Sequence, residues 1–128
     1  MRPIQQTLFT DIENKVLGNC FAAALASLFE LSLLEVPPFH KMKQGHDERM
    51  AKFASAHQYE YNGIIYGNPD LEPGVDGIFI VSCPCLDYPP YHHCVLWQDG
   101  VIIHDPSTRA KQVRLGPFDH FFDIRRIS

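Results

Sequence analysis

From Cys20 the chain runs almost without a polar break, and up to residue 31 only Ser27 and Glu30 interrupt a series of Phe, Ala and Leu. Ala and Leu favour helix, and a helix that is apolar nearly all round has to be buried centrally. Asn19, following Gly18, is a good N-cap, which sets Cys20 in the first turn beside amides that have no partner inside the helix. A second pattern covers residues 47–57, with Asp47 as cap and Met50, Phe53, Ala54 and His57 at the spacing of one helical face. It predicts a peripheral amphipathic helix.

Beyond this point the pattern becomes strand-like. Residues 59–66, 77–83, 92–98, 101–105 and 121–127 are rich in aromatic and β-branched side chains. Helices first and strands afterwards predict an α+β domain in which the buried helix lies on a mostly antiparallel sheet. No internal repeat, charge block or long linker divides the chain, so one domain over residues 1–128 is expected.

Residues 92–106 read as a hairpin around Asp99-Gly100 with polar groups at its open end. A three-residue loop, Gln98 to Gly100, makes His93 and Asp105 direct cross-strand neighbours. Their face then carries Val95, Trp97, Val101 and Ile103, an apolar surface suited to the Cys20 helix. A two-residue Asp99-Gly100 turn instead pairs Cys94 with Asp105 and puts His92 on the aspartate's face. Register alone leaves His92 and His93 both open.

Composition narrows the partners. Hydrophobic residues make up 45% and charged residues 20%, an ordinary globular balance. The formal net charge of −4, with scattered basic residues, gives no cationic stripe to neutralise phosphates, so nucleic acid is not an expected partner. The first ten residues contain Gln5, Gln6 and Thr7 where a secretory signal needs an apolar run, and the apolar window 20–39 is broken by Glu30, Glu35 and Pro37-Pro38. A cytoplasmic location, with no membrane partner, is expected. Cys20, Cys83, Cys85 and Cys94 are then expected to remain thiols.

A cysteine in a first helical turn sits at the positive end of the helix dipole, which favours thiolate and thereby a nucleophile. An isolated cysteine is more often a small core hydrophobe. The histidine and aspartate of the hairpin change that balance, because a base and a group to orient it are what a cysteine nucleophile requires.

Gly-Asn-Cys-Phe-Ala-Ala-Ala at 18–24, the His-x-Val strand at 93–95 and His-Asp-Pro-Ser at 104–107 together resemble the papain-like cysteine hydrolases. The likeness extends from about Gln6 to Ser107. It is strongest to small phage and bacterial papain-fold proteins and more distant to bacteriocin-processing peptidases. The resemblance implies a papain-like fold, Cys20 as nucleophile, His93 as base, Asp105 as the acid that orients it, and a glutamine donating to the oxyanion. Gln6 is the best match for that glutamine, and Gln5 stays open. It further implies a peptidase, isopeptidase or amidase that acts on a peptide, protein or other amide through a thioacyl intermediate, without a cofactor. The chain lacks the length for the substrate-binding insertions of full-sized papain relatives.

Two other functions remain to be weighed. A papain-fold binding module without chemistry predicts the same fold and an unreactive Cys20. A zinc domain draws on Cys83, Cys85, His92, His93 and Cys94, but Cys83-x-Cys85 is tighter than usual ligand spacing and adjacent strand residues face opposite ways. Cys83 and Cys94 are better read as core strand residues. His40, His46, His57 and His120 sit in contexts that need no chemistry. His104 faces away from Asp105 and suits a structural role. Tyr88 and Tyr91, in the proline-rich loop before His92, could wall a cleft or simply pack on the surface.

Overall fold

The computed structural model describes residues 1–5, 7, 19–39, 44–67, 77–84, 86, 92–106, 116–118 and 120–127. Two α-helices, α1 (Cys20–Phe29) and α2 (His46–Ala56), precede five strands, β1 (Tyr59–Tyr66), β2 (Phe79–Pro84), β3 (His92–Gln98), β4 (Val101–His104) and β5 (His120–Arg126). The strands form one sheet in the order β1-β5-β2-β3-β4, and every neighbouring pair is antiparallel. The architecture is therefore α+β, as the switch of hydrophobic period predicts. No described helix is long and apolar enough to cross a membrane.

Helix α1 is buried from Ala22 through Phe29, as a helix without a polar face requires. It stops short of Leu31 because Glu30 turns into the left-handed conformation at φ 58° and its N–H closes back on Ala26 and Ser27. Helix α2 buries Met50 and Ala54 and packs Phe53 on the same core. Its cap is Gly45 at φ 73°, not Asp47. Asp47 lies inside the first turn, where its carboxylate accepts the Tyr61 hydroxyl at 2.9 Å.

Both helices pack on one face of the sheet. That face carries Ile80, Cys94, Leu96 and Ile124, while Val81, Cys83, Val95 and Phe121 form a second cluster on the opposite face. The expectation that Val95 and Trp97 cover the Cys20 helix is thus corrected. Residues 94–97 are apolar on both faces, and it is the Cys94/Leu96 set that meets α1.

The N-terminal segment runs alongside α1. The Arg2 amide donates to the Ser27 carbonyl at 3.0 Å, and the Ile4 amide donates to the Ser27 hydroxyl at 2.9 Å. Ser27 in turn donates to the Ala23 carbonyl at 2.8 Å, so this buried hydroxyl is satisfied and also anchors a neighbouring chain segment.

Candidate active site

The hairpin that carries His93 and Asp105 closes with the two-residue turn. Gln98 pairs with Val101 and Trp97 with Ile102, while Asp99 and Gly100 adopt φ 50° and 86°. Two successive positive φ values match the twist of the flanking strands, which is why Asp-Gly suits this turn. The three-residue loop, and with it a direct His93–Asp105 pair, is not what forms.

One further residue decides which histidine meets the aspartate. The register slips between Trp97 and Leu96, so that Leu96 pairs with His104 and Ile103 is left over as a bulge. An inserted residue flips everything after it to the other face. Without the bulge Asp105 would share the face of Cys94 and His92. With it, Asp105 falls on the face of Val95 and His93. His93 Nε2 lies 2.5 Å from Asp105 Oδ1, and both side chains are largely buried, at 9% and 19% exposure. His92 is exposed, with its ring beside His120 at 5.8 Å.

The end of β4 also makes room for the sulfur. Strand amides alternate between the two edges, so Cys94 points its N–H toward the same side as Leu96 and Gln98, which pair with β4. Because β4 ends at His104, the Cys94 amide reaches beyond it and donates to Cys20 Sγ at 3.4 Å. The sulfur thus occupies the position where a further strand residue would accept. It comes from the helix face, and His93, alternating with Cys94, comes from the other. They meet at this open edge, where the Cys20 side chain hydrogen-bonds to His93 and is attracted by its charge. Since Asp105 holds Nε2, Nδ1 is the ring nitrogen left for the sulfur.

These contacts set the protonation states. A hydrogen bond from the Cys94 thiol is the strongest influence on Cys20; burial opposes it, and the His93 bond and charge and the Cys94 amide reinforce it. The net result holds Cys20 well below the ordinary cysteine range. Burial pulls His93 downward, but the Asp105 hydrogen bond, the Cys20 hydrogen bond and both charges outweigh it and bring His93 up to about 9. Together these shifts favour a thiolate–imidazolium pair.

Asn19 occupies the N-cap position of α1, but its side chain does not cap. It is buried and accepts the Thr7 amide at 3.1 Å, and its amide group donates to the Thr7 hydroxyl at 3.0 Å. The amides at the start of the helix are therefore not covered by the expected cap, next to the thiolate they favour. Gln6 lies outside the described residues. Its neighbour Thr7 is the residue that Asn19 ties to the helix start, and Gln5 is exposed.

The other residues singled out in the sequence fall as follows. Cys20, Cys83 and Cys94 are free of disulfides, and Cys85, His40, Tyr88, Tyr91 and Ser107 lie outside the described residues. His104 Nε2 donates to the Ile4 carbonyl at 2.8 Å, which fixes the proton on that nitrogen and ties β4 to the N-terminal segment. Among the described residues no group of three or more His, Cys, Asp or Glu is placed to hold a metal ion. A pocket of about 540 Å³ opens near Leu28, Tyr59, Ile78 and Arg126, toward the far end of α1 from Cys20, and none of its described lining residues carries a thiol or imidazole. The residue that the pattern missed is Cys94. Its strand position marks it as core, and nothing local in the chain reveals that α1 would deliver a second sulfur to it.

No family model, curated protein or solved structure matches the chain.

Proposed function

We propose that this protein is a papain-like cysteine hydrolase that cleaves a peptide, isopeptide or other amide through a thioacyl intermediate on Cys20. The observation that carries the proposal is the convergence of Cys20, His93 and Asp105, from a helix start, a strand and the end of the next strand, into one hydrogen-bonded series. A cysteine at a helix start, served by a histidine on an antiparallel strand and an acid that orients it, is the arrangement the sequence resemblance implies.

In the proposed reaction the Cys20 thiolate attacks the substrate carbonyl carbon, and the carbonyl π electrons move onto oxygen. The Cys20 amide and the Gln6 side chain donate to that oxyanion. As the tetrahedral centre collapses, the carbon–nitrogen bond breaks and His93 gives its proton to the leaving amine. His93, now neutral, takes a proton from water, whose oxygen attacks the thioester. Collapse of this second tetrahedral centre releases the acid and restores the thiolate–imidazolium pair. Asp105 keeps the ring oriented throughout, with Nδ1 toward the sulfur.

The test uses an activated ester, 4-nitrophenyl acetate, with intact-mass detection. The expected result is a transient acetyl group on Cys20, nitrophenol released beyond one equivalent, and loss of both in Cys20→Ala. Nitrophenol release that survives Cys20→Ala, or an acetyl group that Cys20 never sheds, would refute hydrolysis at this site. Absence of any acetyl group on Cys20 would favour a catalytically silent binding module.

A further inference from the structure

The hydrolytic scheme leaves Cys94 without a chemical part, although it is the residue nearest the nucleophile along the strand. Its amide donates to Cys20 Sγ at 3.4 Å, and its side chain is the strongest influence lowering the Cys20 thiol. Cys94 belongs to the core cluster on the helix face, and Cys20 packs against that same cluster. Cys83 lies across the β2–β3 ladder from His93 and faces the other way. Cys94 therefore stands with Cys20 on the helix face, and Cys83 does not. The two partners also differ in access, since Cys20 is half-buried and Cys94 is only 7% exposed. A small reagent reaches Cys20 first.

We propose that Cys20 and Cys94 form a dithiol site for small-molecule disulfides, with Cys20 as the attacking sulfur and Cys94 as the resolving one. The Cys20 thiolate attacks one sulfur of a reagent RSSR, whose S–S bond breaks and releases RS⁻. A mixed disulfide, Cys20–S–S–R, remains. Cys94 then attacks Cys20 Sγ, the second RS group leaves, and the Cys94 proton ends on a released thiol. The pair loses two electrons, the reagent gains them as RS⁻ and RSH, and a Cys20–Cys94 disulfide is formed.

The second step needs the two sulfurs to close to about 2 Å with the Cβ–S–S–Cβ angle near a right angle. Side-chain rotation is the movement available, and among the described residues β4 ends before it reaches Cys94. The disulfide removes the thiolate on which any chemistry at Cys20 depends, and a thiol reductant restores it. This inference rests on the reactivity of Cys20 and not on acyl transfer.

The experiment treats reduced wild type, Cys94→Ser, Cys94→Ala and Cys83→Ser with 2-hydroxyethyl disulfide. Remaining thiols are blocked with N-ethylmaleimide before non-reducing digestion and mass spectrometry, and circular dichroism selects whichever Cys94 variant is folded. The expected result is a linked Cys20–Cys94 peptide in wild type and in Cys83→Ser, reversed by dithiothreitol. In the folded Cys94 variant, Cys20 should retain the hydroxyethylthio group. Equal retention of that group by wild type and the Cys94 variant, or linkage of Cys20 to Cys83 or Cys85, would overturn the proposal. Linked peptides from a protein that fails to turn over the ester would sink the hydrolase and leave this inference standing. Ester turnover without linked peptides would do the reverse.

Discussion

Replacing His93 by Gln removes the imidazolium and keeps a side chain of similar reach, and its effect on Cys20 can be worked from the site. His93 lowers the thiol's pKa in two ways, through a hydrogen bond and through its charge, while Cys94 contributes independently through its thiol and its amide. An opposite charge at contact distance is worth about 1–3 pH units, or roughly 1.4–4 kcal/mol at 1.36 kcal/mol per unit. The midpoint of Cys20 alkylation against pH should therefore move up by about 1–3 units and stay below the ordinary cysteine value, because Cys94 still acts. The midpoint is the quantity to read. A rate at one pH misleads, since a more basic thiolate is also more nucleophilic, with a Brønsted slope of about 0.4–0.5 that offsets part of the lost thiolate fraction. The assay is iodoacetamide alkylation across pH, resolved at Cys20 by peptide mass. A midpoint that does not move in His93→Gln would refute the ion pair.

Three further outcomes follow from the same geometry. Amide turnover should fall on the alkaline side near pH 9, where His93 loses the proton it donates to the leaving amine, and Asp105→Asn should keep partial turnover with that limb moved to lower pH; an unmoved limb would remove Asp105 from its orienting role. As a thiolate–imidazolium pair the folded site holds one proton, on His93, below about pH 9, and above the ordinary histidine value the unfolded pair also holds one, on the Cys20 thiol, so within that window the ion pair adds little slope to stability. In His93→Gln only the depressed thiol remains, whose contribution is full above its unfolded value and lost as pH falls, so denaturant-derived stability should rise across that window by up to about 1.4 kcal/mol per pH unit; a wild-type-like profile would contradict this. Deleting Ile103 removes the bulge and returns Asp105 to the face of Cys94, so the NMR titration of His93 should fall from about 9, and an unchanged titration would show that the bulge does not select the histidine.

The parts of this fold that the chain spells out are those where burial differs sharply between faces or periods. Helix α1 is legible because its apolar run has the composition of a helix, and the strand boundaries are legible because β-branched and aromatic residues give way to Gly, Pro and Asp. Register is another matter. Val101, Ile102 and Ile103 are all apolar, and so are residues 94–97, so a one-residue bulge changes nothing in the hydrophobic pattern. Local reasoning accordingly arrives at the His93–Asp105 contact through a turn that does not form. Asn19 shows a different limit. Its residue type suits a cap and it takes the cap position, but Thr7 supplies a competing partner that no local rule contains. Cys94 likewise acquires its place beside Cys20 from the early end of β4, a property of two strands together.

The most direct measurement is a competition among the thiols of the native protein. A limiting amount of iodoacetamide near neutral pH, followed by peptide mapping, shows which cysteine is alkylated first. An adduct on Cys20 ahead of Cys83, Cys85 and Cys94 is expected, because the site favours the Cys20 thiolate and Cys20 is only half-buried. A first adduct on Cys83, Cys85 or Cys94 would contradict it.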